Sequence, residues 1–119
     1  MRPASASWRI VSAWRSWETV HALAKPDWID ANPAARADDL MRAFHDPAIK
    51  GIIASIGGND AVRLIPYIDL AVIRDNPKLF VGYSDTKVVH FGCLKAGLGT
   101  LHGPTVMSGF GTSRNFAAP

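Results

Sequence analysis

A single cysteine, Cys93, stands in the whole sequence, so no disulfide can form within the chain. One thiol of this kind is compatible with a reducing cytoplasm. No apolar run approaches the roughly 18 consecutive residues that a membrane-spanning helix requires. The opening stretch from Met1 to Arg9 mixes polar and small residues and lacks the apolar centre of a signal peptide. Blocks of like charge are also missing: 13 Lys and Arg stand against 10 Asp and Glu, spread along the chain, for a formal net charge of +3. Nucleic-acid binding normally needs a basic stripe, so it is not expected here. What is present is a globular composition, with 48% apolar and 19% charged residues over 119 positions, enough for one domain with a core. The expectation is a folded cytoplasmic protein without a membrane segment.

The chain is unevenly organised. Residues 1–16 set three arginines among tryptophans with little period and are expected to form a divergent lead-in. From Ser16 to Leu23 the residues Trp17, Thr19 and Val20 favour a short extended segment. The stretch "AKPDWIDANP" supplies Pro26, Asp27, Asn32 and Pro33 and reads as loop. Asn32 is then a candidate N-cap with Pro33 at the first helical position, and Ala37, Leu40, Met41 and Phe44 fall at helical spacing. The run Ile52, Ile53, Ala54, Ile56, closed by Gly57 and Gly58, predicts a buried parallel strand. A short helix interrupted by Pro66 and a second short helix before Asn76-Pro77 should follow. "LFVGYSD" then predicts another buried strand, "TKVVHFGCLKAG" a helix closed by Gly97, and "LGTLHGPTV" a last short strand. Strands alternating with helices imply a doubly wound, mostly parallel, flavodoxin-like α/β sheet. Working residues in such sheets lie on loops at the carboxyl ends of strands, where both "IGGND" and "GYSD" fall.

The corner at Ser84 has two readings. A serine on a tight strand-to-helix turn exposes its Oγ, and the following amide, that of Asp85, lies near a helix N-terminus able to stabilise an oxyanion. Gly82, two residues earlier, takes a Cβ away from the crowded turn, as in the G-x-S-x-G elbow, but Thr86 stands where that motif has its second glycine. Equally, Ser84 or Asp85 could cap the helix that begins near Thr86. Gly57 and Gly58 permit close approach of a ligand to the backbone and could supply a second donor amide. Such pairs also occur in purely structural turns.

The ordered series Arg36-Ala37-Asp38-Asp39-Leu40, Ile56-Gly57-Gly58-Asn59-Asp60, Arg63-Leu64-Ile65-Pro66, Asn76-Pro77-Lys78, Gly82-Tyr83-Ser84-Asp85 and Gly97-Leu98-Gly99-Thr100-Leu101-His102-Gly103-Pro104 resembles the N-terminal domain of the LD-carboxypeptidase family. In detail it is similar to that family's branch of microcin C self-immunity peptidases. The resemblance runs from Arg36 to Gly111, with a fainter continuation back to Trp17. It implies that Ser84 is a nucleophile and that the amides of Asp85 and of Gly57 or Gly58 form an oxyanion hole. Asn59, Asp60, Tyr83 and His102 are implied substrate contacts. The implied reaction cuts an amide next to a free carboxylate, in a muropeptide or a peptidyl-nucleotide, with no metal or organic cofactor, and a homodimer is the implied assembly. The domain of the resemblance spans residues 17–110, with 111–119 as the start of a linker.

The family's catalytic glutamate and histidine belong to a C-terminal domain, so the resemblance implies that this chain, ending at Pro119, carries only half of the machinery. The family's opening strand with its Pro-Ser turn is replaced by the tryptophan-rich lead-in, and Ala61 stands where many relatives have serine. Among local histidines, His90 falls six residues after Ser84 and should point away from it, while His102 sits at a strand end. His21 and His45 read as ordinary surface or loop residues, and Cys93 as helix packing. Arg63 and Asp60 are read as a cap or surface salt bridge before a substrate contact. Two alternatives stand beside the peptidase: a non-catalytic remnant that still binds muropeptide or acyl-nucleotide, and a flavodoxin-like module whose glycine loops hold a phosphate.

Overall fold

A computed structural model describes residues 17–107 together with the two-residue strand Arg2–Pro3. Apart from that strand, the lead-in over 1–16 and the linker over 111–119 lie outside the described residues. The elements in chain order are β1 (Arg2–Pro3), β2 (Trp17–Glu18), α1 (Pro26–Ala31), α2 (Pro33–His45), β3 (Gly51–Ile53), a 3-10 helix (Ala61–Tyr67), α3 (Leu70–Asp75), β4 (Leu79–Gly82), a 3-10 turn (Ser84–Thr86), α4 (Lys87–Lys95) and β5 (Leu101–His102).

β1 and β2 form an antiparallel pair, Arg2 against Glu18 and Pro3 against Trp17. The extended segment expected from Ser16 to Leu23 is therefore confined to two of its residues, and a turn follows from Val20. A second correction concerns "AKPDWIDANP", which is helix α1 over most of its length. The proline read as loop punctuation sits in the first turn, where its fixed φ suits a helix and its missing N–H costs nothing. Asn32 then stands between two helices. Its side chain donates to the Trp28 carbonyl at 2.7 Å and makes no cap bond to α2, so the expected capping role goes unfilled. α2 itself follows the predicted spacing, burying Ala37, Ala43 and Phe44, and it places Arg42 and His45 in its last turn, where they complement the helix dipole.

The main sheet is parallel, with strand order β3-β4-β5. Ile52 lies beside Phe80 and Ile53 beside Val81, while Val81 and Gly82 pair with Leu101 and His102. Ile52 and Phe80 point to one face, where Ala37 and Phe44 of α2, Ala61 and Leu64 of the 3-10 helix, Ile73 of α3, and Val89 and Cys93 of α4 close the core. Burial of these side chains is the main stabilising contribution, about 1.5–3 kcal/mol for each large one. β3 is a correction to the buried strand expected: Ile53 is 46% exposed, as are Leu79 at 48% and Leu101 at 56% on the same face. An apolar run announces a strand but not which face acquires a cover. Val81 on that face is nonetheless buried, and the chain does not stop at β5. After β5 it crosses back so that Val106 and Met107 donate to the carbonyls of Ala54 and Ser55, at 2.9 Å each. This places the carboxyl ends of β3, β4 and β5 side by side.

Candidate active site

β4 delivers the chain to the site. Phe80 and Val81 are buried, and Gly82 follows in a position with no room for a side chain. A Cβ there would lie 2.6 Å from Thr86 Oγ1 and 3.2 Å from Ala54 Cβ. Thr86 cannot easily yield, because its hydroxyl donates to the Tyr83 carbonyl at 3.0 Å. Tyr83 is extended, and Ser84 then adopts φ +64°, the one non-glycine with positive φ among the described residues. The left-handed conformation costs about 1–2 kcal/mol for a residue with a Cβ. It is the geometry of a strained strand-to-helix turn that pushes a hydroxyl outward. Ser84 is exposed, and no hydrogen bond engages its side chain among the described residues.

Neither Ser84 nor Asp85 caps the following helix. α4 begins after Thr86, which itself makes no side-chain cap bond. The Asp85 carboxylate instead reaches back to the glycine loop, where the amides of Asp60 and Ala61 donate to its Oδ2 at 3.1 and 2.9 Å. That loop packs directly on the serine. A Cβ added to Gly57 would fall 3.2 Å from Ser84 Cβ, 3.4 Å from its Oγ and 3.8 Å from the Asp85 nitrogen. One added to Gly58 would fall 3.4 Å from both Asp60 Oδ1 and Asp85 Oδ2. Gly57, Gly58, Ser84 and Asp85 are thus brought together. Among the described residues no backbone hydrogen bond engages the amides of Gly57, Gly58 or Asp85. Asn59 is exposed at the bend of the loop, and Asp60 pairs with Arg36 of α2 at 3.1 Å.

The aromatic residues form a second group. His90 Nε2 lies 3.0 Å from the Gly82 carbonyl, which can only accept, so that nitrogen carries a hydrogen. Nδ1 meets Thr100 Oγ1 at 2.6 Å, and in the neutral ring it accepts from that hydroxyl. His90 therefore braces the end of β4 and does not address the serine hydroxyl. Its ring also meets Phe80 edge-on at 4.9 Å and lies 5.8 Å from His102. His102 in turn is 5.9 Å from Tyr83, and these two with Gly103 and Pro104 line an open depression of about 410 Å³.

The remaining residues singled out in the sequence serve the frame. His21 is not an ordinary surface residue: its backbone donates to Asp39 Oδ2 at 2.9 Å, its Nδ1 lies 3.2 Å from Asp39 Oδ1, and its ring stacks on Trp28. His45 is exposed at the end of α2. Arg63 pairs with Asp30 at 2.8 Å and also donates to its carbonyl. Cys93 is fully buried, and burial pushes its thiol up to about 11. Sequence reasoning missed the side-chain role of Asp85, because an aspartate after a turn serine carries the local signal of a cap. It also missed Arg36 and Thr86, whose partners become visible only in three dimensions.

The fold and the sequence have relatives among known proteins. The chain belongs to the LD-carboxypeptidase family, whose N-terminal domain matches residues 6–103. It is similar to the microcin C7 self-immunity protein MccF of Escherichia coli, 38% identical over 77 residues that make up 64% of this chain and 22% of that protein. Among solved structures it is similar to an MccF-like protein from Streptococcus pneumoniae in complex with AMP, with TM-score 0.70 and 36% identity over 76% of this chain and 27% of that one. It is also similar to a muramoyltetrapeptide carboxypeptidase from Oxalobacter formigenes, with TM-score 0.67 and 35% identity over 72% of this chain and 30% of that one. The chain spans about a quarter of the length of the curated relatives it matches.

Proposed function

We propose that this chain is the nucleophile-bearing part of a serine carboxypeptidase that cleaves an amide bond through an acyl-enzyme at Ser84. The observation that carries this is the conformation of Ser84: a strained, outward hydroxyl at the end of the central strand, packed against a glycine that leaves its Oγ uncovered. Strain of this kind persists where the surroundings over-determine it, as they do at functional turns.

In the proposed reaction Ser84 Oγ attacks the carbonyl carbon of an amide that neighbours a free carboxylate. The charge that develops on the carbonyl oxygen is held by the Asp85 amide and by that of Gly57 or Gly58. The C–N bond then breaks, the amine leaves with a proton, and water hydrolyses the resulting ester. The depression lined by Tyr83 and His102 receives part of the substrate beyond the bond, and exposed Asn59 is positioned on the loop for a polar contact. Asp60, already paired with Arg36, orders the loop before it meets a substrate. The names of the relatives support muropeptides and peptidyl-nucleotides as substrate classes. No helix among the described residues is long and apolar enough to cross a membrane, and a cytoplasmic location goes with these substrates.

The base is the open element. The chain has four histidines: His21 is held by Asp39, His90 by Gly82 and Thr100, and neither His45 nor His102 is hydrogen-bonded to Ser84. An unassisted serine is a poor nucleophile at neutral pH, so we expect the 119 residues alone to be catalytically incomplete. The test is hydrolysis of a muramoyl tetrapeptide and of an aminoacyl sulfamoyl adenosine by the chain, with and without the C-terminal half of a family member. Release of the terminal residue only from the mixture, and its loss with Ser84→Ala, is expected. A stably associated mixture that binds substrate without turnover favours the second reading, a ligand-binding module, which is supported by there being no histidine hydrogen-bonded to Ser84 among the described residues.

A further inference from the structure

We propose that the carboxylate of Asp85 is a positioning group that locks the glycine loop to the nucleophile, so that the donor amides of that loop and of Asp85 keep their separation around Ser84. This rests on Ser84 being the nucleophile, and it assigns to the side chain of Asp85 a task distinct from that of its amide. Asp60 and Ala61 open the 3-10 helix Ala61–Tyr67, where the first amides have no partner within the helix. One oxygen of Asp85 accepts both, from a residue more than twenty positions away in sequence. Charge-assisted bonds of this type are the stronger ones, and together they cross-link the strand-end loops of β3 and β4.

The loop is held from its other side as well. Arg36 of α2, whose side chain is mostly buried, places Nη1 at 3.1 Å from Asp60 Oδ1. A Cβ built on Gly58 would fall in ordinary van der Waals contact, 3.4 Å, with an oxygen of each carboxylate. The guanidinium thus neutralises one acid while the amides satisfy the other, and Gly57 is left against Ser84. Because Asp85 adjoins Ser84 in the chain, loop and serine move as one body. Without the carboxylate, the loop from Ile56 to Asp60 loses its anchor next to the serine.

The test compares Asp85→Ala and Asp85→Asn in the 119-residue chain. Amide hydrogen exchange at Asp60 and Ala61, and the NMR positions of Gly57 and Gly58, read the clamp directly. Binding of phenylboronic acid with the C-terminal half of a family member supplied, followed by boron NMR, reads its effect on the site. There Ser84 Oγ adds to boron, its proton passes to solvent, and no other bond breaks. Asp85→Ala is expected to speed exchange at both amides by about tenfold or more, shift both glycines and weaken the adduct by about tenfold. Asn retains an oxygen that accepts from both amides, so Asp85→Asn should restore most of the protection and of the adduct. Unchanged exchange and glycine signals in Asp85→Ala, or an Asn variant that behaves as Ala does, overturns the proposal. A wild-type chain that shows the expected exchange pattern but forms no boronate adduct, even with the C-terminal half of a family member stably associated, upholds the clamp and counts against the nucleophile instead.

Discussion

Gly57 faces Ser84 across two strand-end loops, with the position of a missing Cβ on the glycine only 3.2 Å from the serine Cβ and 3.4 Å from its Oγ. The contact explains why residues separated by more than twenty positions in sequence belong to one site. A methyl at that point would crowd the hydroxyl without entering the core. Gly57→Ala should therefore leave the folded state within about 1 kcal/mol of the parent but slow acylation of Ser84 by about a hundredfold, since small displacements near reacting atoms are costly. Urea unfolding and adduct kinetics on the same variant separate the two effects.

At Gly82 the opposite balance is expected. Its Cβ would meet Thr86 Oγ1 at 2.6 Å, a distance real side chains do not occupy, and Ala54 Cβ at a tight 3.2 Å. Thr86 is held by Tyr83, so relief requires the elbow to shift. Gly82→Ala should destabilise the fold by about 1–3 kcal/mol, measured as a lowered denaturation midpoint with an unchanged slope. A midpoint equal to that of the parent would show that the turn relaxes freely.

Ser84 itself carries backbone strain at its positive φ. Glycine adopts φ +64° without the Cβ penalty. Ser84→Gly is accordingly expected to be as stable as the parent, or more stable by up to about 1 kcal/mol, while losing every covalent reaction at this position. A variant clearly less stable than the parent would mean that the hydroxyl makes a structural bond.

His90 distinguishes a brace from a base. Substitution by Phe removes the bonds to Gly82 and Thr100 and should cost about 1–3 kcal/mol of stability. His90→Asn, able to keep one of those bonds, should fall between. If His90 were the base, both variants would instead abolish acylation at unchanged stability.

Cys93 makes stability depend on alkaline pH. Burial raises its thiol from the ordinary value of 9.0 to about 11, so the folded state resists a deprotonation that the unfolded chain accepts. A raised value means that the contribution is fully present below pH 9 and is lost as pH climbs through the folded value. The expected loss between those limits is about 2–3 kcal/mol, and Cys93→Ala should flatten that part of the stability profile. The same burial predicts no reaction with iodoacetamide at neutral pH.

Much of this was legible in the residues. Helix α2 follows from Pro33 and the spacing of Ala37, Leu40, Met41 and Phe44, and β4 with its corner follows from an apolar run entering Gly82-Tyr83-Ser84-Asp85. What escaped depends on contacts remote in sequence or on signals with two meanings. Pro26 serves a loop and a helix start equally well, which is why α1 was not anticipated. The apolar character of Ile53 carries no information about which sheet face is covered. Asp85 reaches Ala61, and His21 reaches Asp39, across stretches that no local pattern spans.

The most direct measurement is mass spectrometry of the chain, supplied with the C-terminal half of a family member, after exposure to a fluorophosphonate. Attack by Ser84 Oγ on phosphorus with loss of fluoride should leave one phosphonyl group on the tryptic peptide that contains Ser84, and none on the Ser84→Ala variant. Labelling that persists in Ser84→Ala, or a folded mixture that binds muropeptide yet takes no label, would contradict the assignment of Ser84 as nucleophile.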